Sequence, residues 1–229
     1  MAHYQLIVFS NPVAGQEEAY DRWYTQTHIR DLLKVPGVRT AQRHAVLMDL
    51  SRSPLAGFVA EYAIESDDIA ATIGEIRGRL GTAQMPMDDA FDRGSSSFIV
   101  AEPVGPLRHS PHADDPAASV RAVSFVFSNP VAGREAEYHQ WYDGTHVDDL
   151  LRVPGYRTGQ RLRVLPELSR NVRHAVVARY AIHTPDLAAT MATARSRLGT
   201  PEMVLSPAFD MAGASFNLTR PLTETLAAA

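Results

Sequence analysis

The 229-residue chain contains no cysteine, which excludes a disulfide framework, a Cys-ligated zinc site and a thiol nucleophile. A cytoplasmic location is the default expectation for such a composition. No apolar run reaches the roughly 18 to 20 residues needed to span a bilayer. The amino terminus carries only a short apolar run, residues 6–9, with no basic leader, and reads as a strand rather than a signal peptide. Basic residues are also in short supply: Lys plus Arg is 22 against Asp plus Glu 26, a formal charge of −4, with no basic run on one face. That balance argues against nucleic acid or an anionic membrane as partner. Missing too are Gly-x-Gly-x-x-Gly after a strand, a phosphate loop, His-Glu-x-x-His and a Gly-x-Ser-x-Gly elbow. Dinucleotide, nucleotide, zincin and serine-hydrolase chemistries are thereby set aside. With 45% hydrophobic residues and 21% charged, the chain has the composition of a soluble globular protein, long enough for two small cores or one shared core.

What the chain does have is a repeat. SNPVAGQEEAYDRWYTQTHIRDLLKVPGVRTAQR, residues 10–43, returns as SNPVAGREAEYHQWYDGTHVDDLLRVPGYRTGQR, residues 128–161, with 22 of the 34 positions identical at a constant offset of 118. The offset holds without a gap beyond the motif: Ser51-Arg52 meets Ser169-Arg170, Tyr62 meets Tyr180, and Ala90-Phe91-Asp92 meets Ala208-Phe209-Asp210. The chain is a tandem duplication of a unit of about a hundred residues.

Within the first copy the pattern predicts strands at 4–9, 39–47, 58–64 and 95–101 and helices at 17–34 and 67–80, the first helix stopped by Pro36-Gly37. Strand, helix, strand, strand, helix, strand is the split-βαβ order. The second copy predicts strands near 122–127, 157–165, 176–182 and 215–219. The fold class is therefore α+β, with ferredoxin-like repeats at 1–102 and 120–229 joined by a Pro- and Ala-rich linker at 103–119. A sheet with helices on one face needs cover on the other. The attached copy supplies it, so two sheets are expected face to face about a pseudo-two-fold axis, an intramolecular pseudo-dimer.

At about 100° per residue, Tyr20, Trp23, Tyr24, Thr27, His28 and Asp31 fall on one face of the first helix, with Tyr138, Trp141, Tyr142, Thr145, His146 and Asp149 as counterparts. An aromatic arc with a histidine and a carboxylate is the composition of a pocket wall. The plainer alternative is a satisfied histidine and a carboxylate bonded to nearby backbone. Arg43 and Arg161, on the next strand, could clamp a substrate oxygen or form a salt bridge with Asp31 or Asp92 and their counterparts. Tyr62 and Tyr180 stand on the same strand side as Phe58, either lining the pocket or in the core with a satisfied hydroxyl. Ile29 and Leu33, with Val147 and Leu151, fall on the outward side, where they need cover from the segment after the Pro-Gly stop or from another copy of the chain. The two helices are expected on opposite sides of the paired sheets, which disfavours a shared metal among His28, Asp31, His146 and Asp149.

Trp-Tyr-x-x-Thr-His-x-x-Asp-Leu-Leu-[Lys/Arg]-Val-Pro-Gly, present in both copies, resembles the dimeric α+β barrel superfamily, in particular its EthD-like small domains. The resemblance implies a pocket between the first helix and the sheet, with His28 and His146 as its polar groups. It also implies a range of activities: cofactor-free cyclases, dehydratases, decarboxylases, isomerases and monooxygenases on hydrophobic rings, and haem proteins. Imidazole titrates near neutrality and can move a proton to or from carbon, with Asp31 or Asp149 fixing its tautomer. The expectation is a cofactor-free lyase or isomerase with His28, His146, Asp31 and Asp149 as acid-base groups. Trp23, Tyr24, Arg43, Tyr62, Trp141, Tyr142, Arg161 and Tyr180 would line the substrate, a hydrophobic cyclic or aromatic small molecule. A cofactor-independent monooxygenase on a phenolic substrate is the first alternative; a non-catalytic small-molecule or haem binder is the second.

Overall fold

A computed structural model describes residues 1–49, 56–171 and 173–228; Ser51 and Arg52 of the repeat lie outside these. β1 (Ala2–Ser10) leads to helix α1 (Glu17–Trp23), which passes through a π-helical turn (Tyr24–His28) into α2 (Ile29–Leu33). β2 (Val38–Asp49), β3 (Phe58–Ser66), α3 (Ile69–Arg79) and β4 (Ser97–Pro103) complete the first half. After the two-residue β5 (Arg108–His109), the order recurs: β6 (Val120–Ser128), α4 (Glu135–Trp141), a second π-helical turn (Tyr142–His146), α5 (Val147–Leu151), β7 (Tyr156–Val164), β8 (Val176–Thr184), α6 (Leu187–Arg197) and β9 (Ser215–Pro221). A last short strand, β10 (Leu226–Ala227), follows.

The strands run β2-β3-β1-β4-β7-β8-β6-β9, all antiparallel, and β9 pairs back onto β2, closing an eight-stranded barrel. The halves thus differ from two stacked sheets: their edges hydrogen-bond to each other, and both apolar faces line one interior. Strand alternation sorts the side chains. On β1, Ile7 and Phe9 point into the barrel with Val59, Ile99, Phe125, Phe127, Leu162 and Val177, while Leu6 faces the helices. Outside the barrel, each half has its own core between sheet and helices, rich in tyrosine. No helix among the described residues is long and apolar enough to cross a membrane.

Each half also ends in a tail that crosses to the other. β5 pairs with β7, and β10 pairs with β2. The contacts are equivalent at the offset of 118: Leu222 N donates to Arg43 O (2.7 Å) as Val104 N does to Arg161 O (3.0 Å), and Ala228 N donates to Arg39 O as Ser110 N does to Arg157 O (2.8 Å each). The side-chain amides of Gln42 and Gln160 hold the same tails, donating to Thr223 O and Gly105 O. Part of segment 103–119 therefore belongs to this exchange, and the repeat continues through β5 and β10.

At the barrel centre the symmetry breaks. Glu61 and Arg179 occupy equivalent positions and meet in a bidentate ion pair, Nε to Oε2 and Nη2 to Oε1 at 2.7 Å each. His44, fully buried, adds Nε2 to Glu61 Oε1 at 3.0 Å. Burial alone would push the Glu61 carboxyl up; Arg179 and His44 outweigh it and hold it well below the usual carboxylate range.

Candidate functional site

The π-helical turns decide where the repeated motif points. A π turn inserts one extra residue into the helical ladder and rotates everything after it. Ile29 and Val147, expected outward on a regular 3.6 period, are consequently buried in their halves' cores, and Leu151 with them; Leu33 is half-buried. Val147 packs on β7 where Gly159 leaves room: a Cβ there would lie 2.9 Å from the Tyr180 ring and 3.1 Å from Val147 Cγ1.

His28 ends the first π turn. Its ring stacks on Trp23 at 4.5 Å between centroids and meets Tyr24 edge-on at 5.0 Å. Nδ1 is buried with no hydrogen-bond partner. Burial pushes the imidazole pKa down to about 4; Asp31 works against this and Arg43 with it, leaving the ring neutral at neutral pH. His146 repeats the arrangement, 4.4 Å from Trp141 and 5.1 Å from Tyr142, with its Nδ1 also unpartnered and its pKa about 4 through burial and Arg161.

The structure separates the other expected residues from this imidazole. Asp31 accepts from Lys34 Nζ and Asp149 from Arg152 Nη1, each at 2.7 Å, so both carboxylates are committed to the basic residue one turn on rather than to the histidine. Arg43 is 1% exposed and pairs with Asp21, not Asp31 or Asp92: Nη1 donates to Asp21 Oδ1 at 2.8 Å and to Thr25 Oγ1. Its guanidinium lies over Tyr24 at 4.7 Å. Arg161, over Tyr142 at 4.4 Å, pairs with Asp143 at 2.6 Å and donates to His139 Nδ1 at 3.0 Å. These arginines brace the helix against the sheet. The Tyr62 hydroxyl reaches Tyr24 at 3.5 Å, and burial raises both phenols; Tyr142 and Tyr180 have buried hydroxyls without a hydrogen-bond partner. The indoles of Trp23 and Trp141 donate to Pro86 O and Val204 O. Asp92 accepts from Gly94 N at 2.9 Å and serves a turn.

A cavity of about 230 Å³ opens beside His28. Tyr24, His28 and Leu32 line it from the first helix, Leu6 and Val8 of β1 with Phe98 of β4 from the sheet, Ile73 and Ile76 from α3, and Phe91 beside Tyr24. Exposed Arg77, Arg93 and Arg170 stand at the mouth. Trp23 backs His28 rather than lining the space, and Asp31, Arg43 and Tyr62 do not line it. Arg170 comes from the second half, through paired backbone with Phe98. Sequence reasoning missed Phe91, Phe98 and Arg170, although Phe91 sits in a repeated Ala-Phe-Asp that signalled a shared role. Among the described residues no group of His, Asp and Glu is arranged to hold a metal.

No family model and no curated protein sequence matches the chain. Solved structures do. An anthrone oxidase-like protein superposes with TM-score 0.63 at 14% identity, covering 100% of this chain and 94% of its own. A mutant chlorite dismutase from Candidatus Nitrospira defluvii gives 0.58 at 10%, covering 97% and 93%. A heme-binding protein from Thermus thermophilus gives 0.52 at 14%, covering 97% and 92%. At such identities the likeness is one of fold: the chain has an α+β barrel fold similar to that of the dimeric α+β barrel proteins. Haem does not fit the cavity described here. A cavity of about 150 Å³ takes benzene, so about 230 Å³ suits roughly two fused rings and not a tetrapyrrole. One face of the His28 ring is moreover covered by Trp23, with Tyr24 edge-on against it.

Proposed function

We propose that the chain is a cofactor-independent enzyme in which His28 takes a proton from an acidic C–H or phenolic O–H of a hydrophobic ring compound. The observation that carries this is a neutral imidazole on the wall of a largely apolar cavity, its ring without a hydrogen-bond partner among the described residues. Neutrality makes it a proton acceptor throughout the physiological range; the low pKa makes it a weak one, so the substrate must supply an acidified proton. Tyr24, Phe91 and Phe98 grip the ring. Behind this stands the reading of the chain as two EthD-like, ferredoxin-like repeats, a homodimer joined into one polypeptide.

Of the two reactions open to such a base, oxygenation leads. In an oxygenation the lone imidazole need take only the first C–H proton: O₂ then adds to the carbanion, the imidazolium returns that proton to the peroxide, and the hydroperoxide loses water with the second C–H hydrogen. In the oxygenase reading, His28 generates a carbanion. Molecular oxygen oxidises it, so that a ring CH₂ and O₂ become a ring C=O and water. The resemblance in fold to an anthrone oxidase-like protein points the same way. 1-Naphthol, a two-ring phenol whose keto tautomer carries the ring CH₂, tests it in an oxygen electrode. The expected result is one O₂ consumed per quinone formed, falling about 10² to 10⁴-fold in His28→Ala. Equal substrate loss under argon would instead establish the lyase or isomerase reading. Turnover unchanged in His28→Ala would move the chemistry elsewhere.

A further inference from the structure

We infer that the ligand of this cavity is a ring compound bearing an anionic group, with the ring against His28 and the anion among Arg77, Arg93 and Arg170. The inference rests on the reading of the cavity as the substrate site and adds the chemical class of what it takes. All three arginines line this one cavity. Arg77 lies over the Phe98 ring at 5.5 Å, Arg170 shares its backbone pairing with Phe98, and Arg170 Nη2 donates to Arg93 O at 3.3 Å. A backbone carbonyl, Leu168 O, is the hydrogen-bond acceptor of Arg77 at 2.9 Å. None of the three forms an ion pair among the described residues. Arg79, on the same helix as Arg77, has a carboxylate partner, as do Arg39, Arg108, Arg134, Arg157 and Arg163; Arg22, Arg30, Arg173, Arg195 and Arg220 form none either among the described residues, so what sets the three apart is their place at one cavity. In a chain with net charge −4, three unpaired cations gathered at the mouth of an apolar cavity are an arrangement that repels itself until an anion joins it. A guanidinium also offers the planar, forked donor geometry that a carboxylate matches. The neutral base lines the same cavity with apolar side chains around it, so a ligand that meets both the base and the arginines carries a ring and an anion in one molecule.

Calorimetric titration with 2-naphthoate and its neutral isostere 2-naphthamide tests this on the full chain. The acid is expected to bind about tenfold or more tighter than the amide. Arg77→Ala, Arg93→Ala and Arg170→Ala combined should bring the acid down to the amide's affinity while leaving the amide unchanged. The corresponding triple lysine variant should keep part of the preference, and raised salt should erode it. The three side chains are exposed, so the variants keep the fold, checked by their melting temperature. Equal binding of acid and amide would overturn the anion inference and leave the ring cavity standing, as would an acid preference that survives the triple alanine variant. Failure of both ligands to bind would overturn the cavity reading with it.

Discussion

The two halves solve the same problem of a buried arginine with different residues. In the first, Asp21 neutralises Arg43 and Thr25 adds a hydroxyl; in the second, position 139 holds histidine and the carboxylate has moved one helical turn to Asp143. The charge is kept and its place is not, because residues four apart on a helix face the same neighbour. The pocket region has diverged without such compensation. Where the first half places Leu6, Ile73, Ile76 and Arg93, the second has Ser124, Met191, Ala194 and Met211. Where the first has Val38, the second has Tyr156, whose buried ring lies 5.8 Å from Tyr180 with its hydroxyl 3.9 Å from Met191 Sδ. Framework is preserved by exchange while the cavity surroundings drift. This is the pattern expected if one half retains the binding role and the other serves as its partner, contributing Arg170.

That comparison is broken most directly through the histidines. His28→Ala should lower turnover about 10² to 10⁴-fold, whereas His146→Ala should leave it within about a factor of two, both read as kcat/KM on the same substrate. Equal losses would mean two working sites. Next in size is the centre of the barrel. Glu61→Gln leaves the Arg179 charge without a counter-ion and should cost about 3 to 5 kcal/mol in urea unfolding. Exchanging the two, Glu61→Arg with Arg179→Glu, should recover at least half of that loss. A homodimer of either half would set Glu against Glu or Arg against Arg here, so the pair belongs to the covalently joined form.

Acid titration follows. The folded pKa of about 4 for both His28 and His146 lies below the ordinary 6.5, so each contributes stability that is complete above about pH 6.5 and lost as pH falls toward 4. The full contribution is about 3 kcal/mol per histidine. Unfolding curves at pH 7, 5.5 and 4.5 should show the loss, and His28→Gln or His146→Gln should each remove about half of the histidine-dependent part. Saturation with a ligand of the first half should alter only the His28 share.

Much of this was legible in the residues. The offset of 118 fixes the element order twice over, and the alternation of Phe58, Ala60, Tyr62 and Ile64 places Tyr62 in the outer core. The same alternation puts Glu61 on the other face, opposite its own equivalent Arg179, so the central ion pair was open to inference. Three things were harder to read. The π turn has no sequence signature, yet it shifts Ile29 from solvent to core. Asp31 looks like the partner of His28 by spacing, but Lys34 is equally close on the helix and carries the charge a carboxylate seeks. Arg170 joins the site only because β4 and β7 close the barrel, a pairing between strands far apart in the chain.

The smallest effect sharpens the opening comparison most. Asp21→His gives the first half the residue of the second at that position but not its carboxylate. Arg43 is 1% exposed, whereas the side chain of Asp21 is 58% exposed, so the ion pair sits at the edge of solvent. Its loss should fall between the few tenths of a kcal/mol of a surface pair and the 3 to 5 of a buried one, at about 2 kcal/mol. Adding Thr25→Asp then reproduces the second half's solution: a carboxylate one turn on, with the new histidine free to accept from Arg43 as His139 accepts from Arg161. If the halves are interchangeable in framework, the double variant should return to within about 0.5 kcal/mol of the parent, a coupling read from a double-mutant cycle of unfolding free energies. The reciprocal pair, Asp143→Thr with His139→Asp, should behave alike in the second half. Additivity of the single changes would show that the two positions do not share one arginine, and the compensation drawn from the geometry would fall.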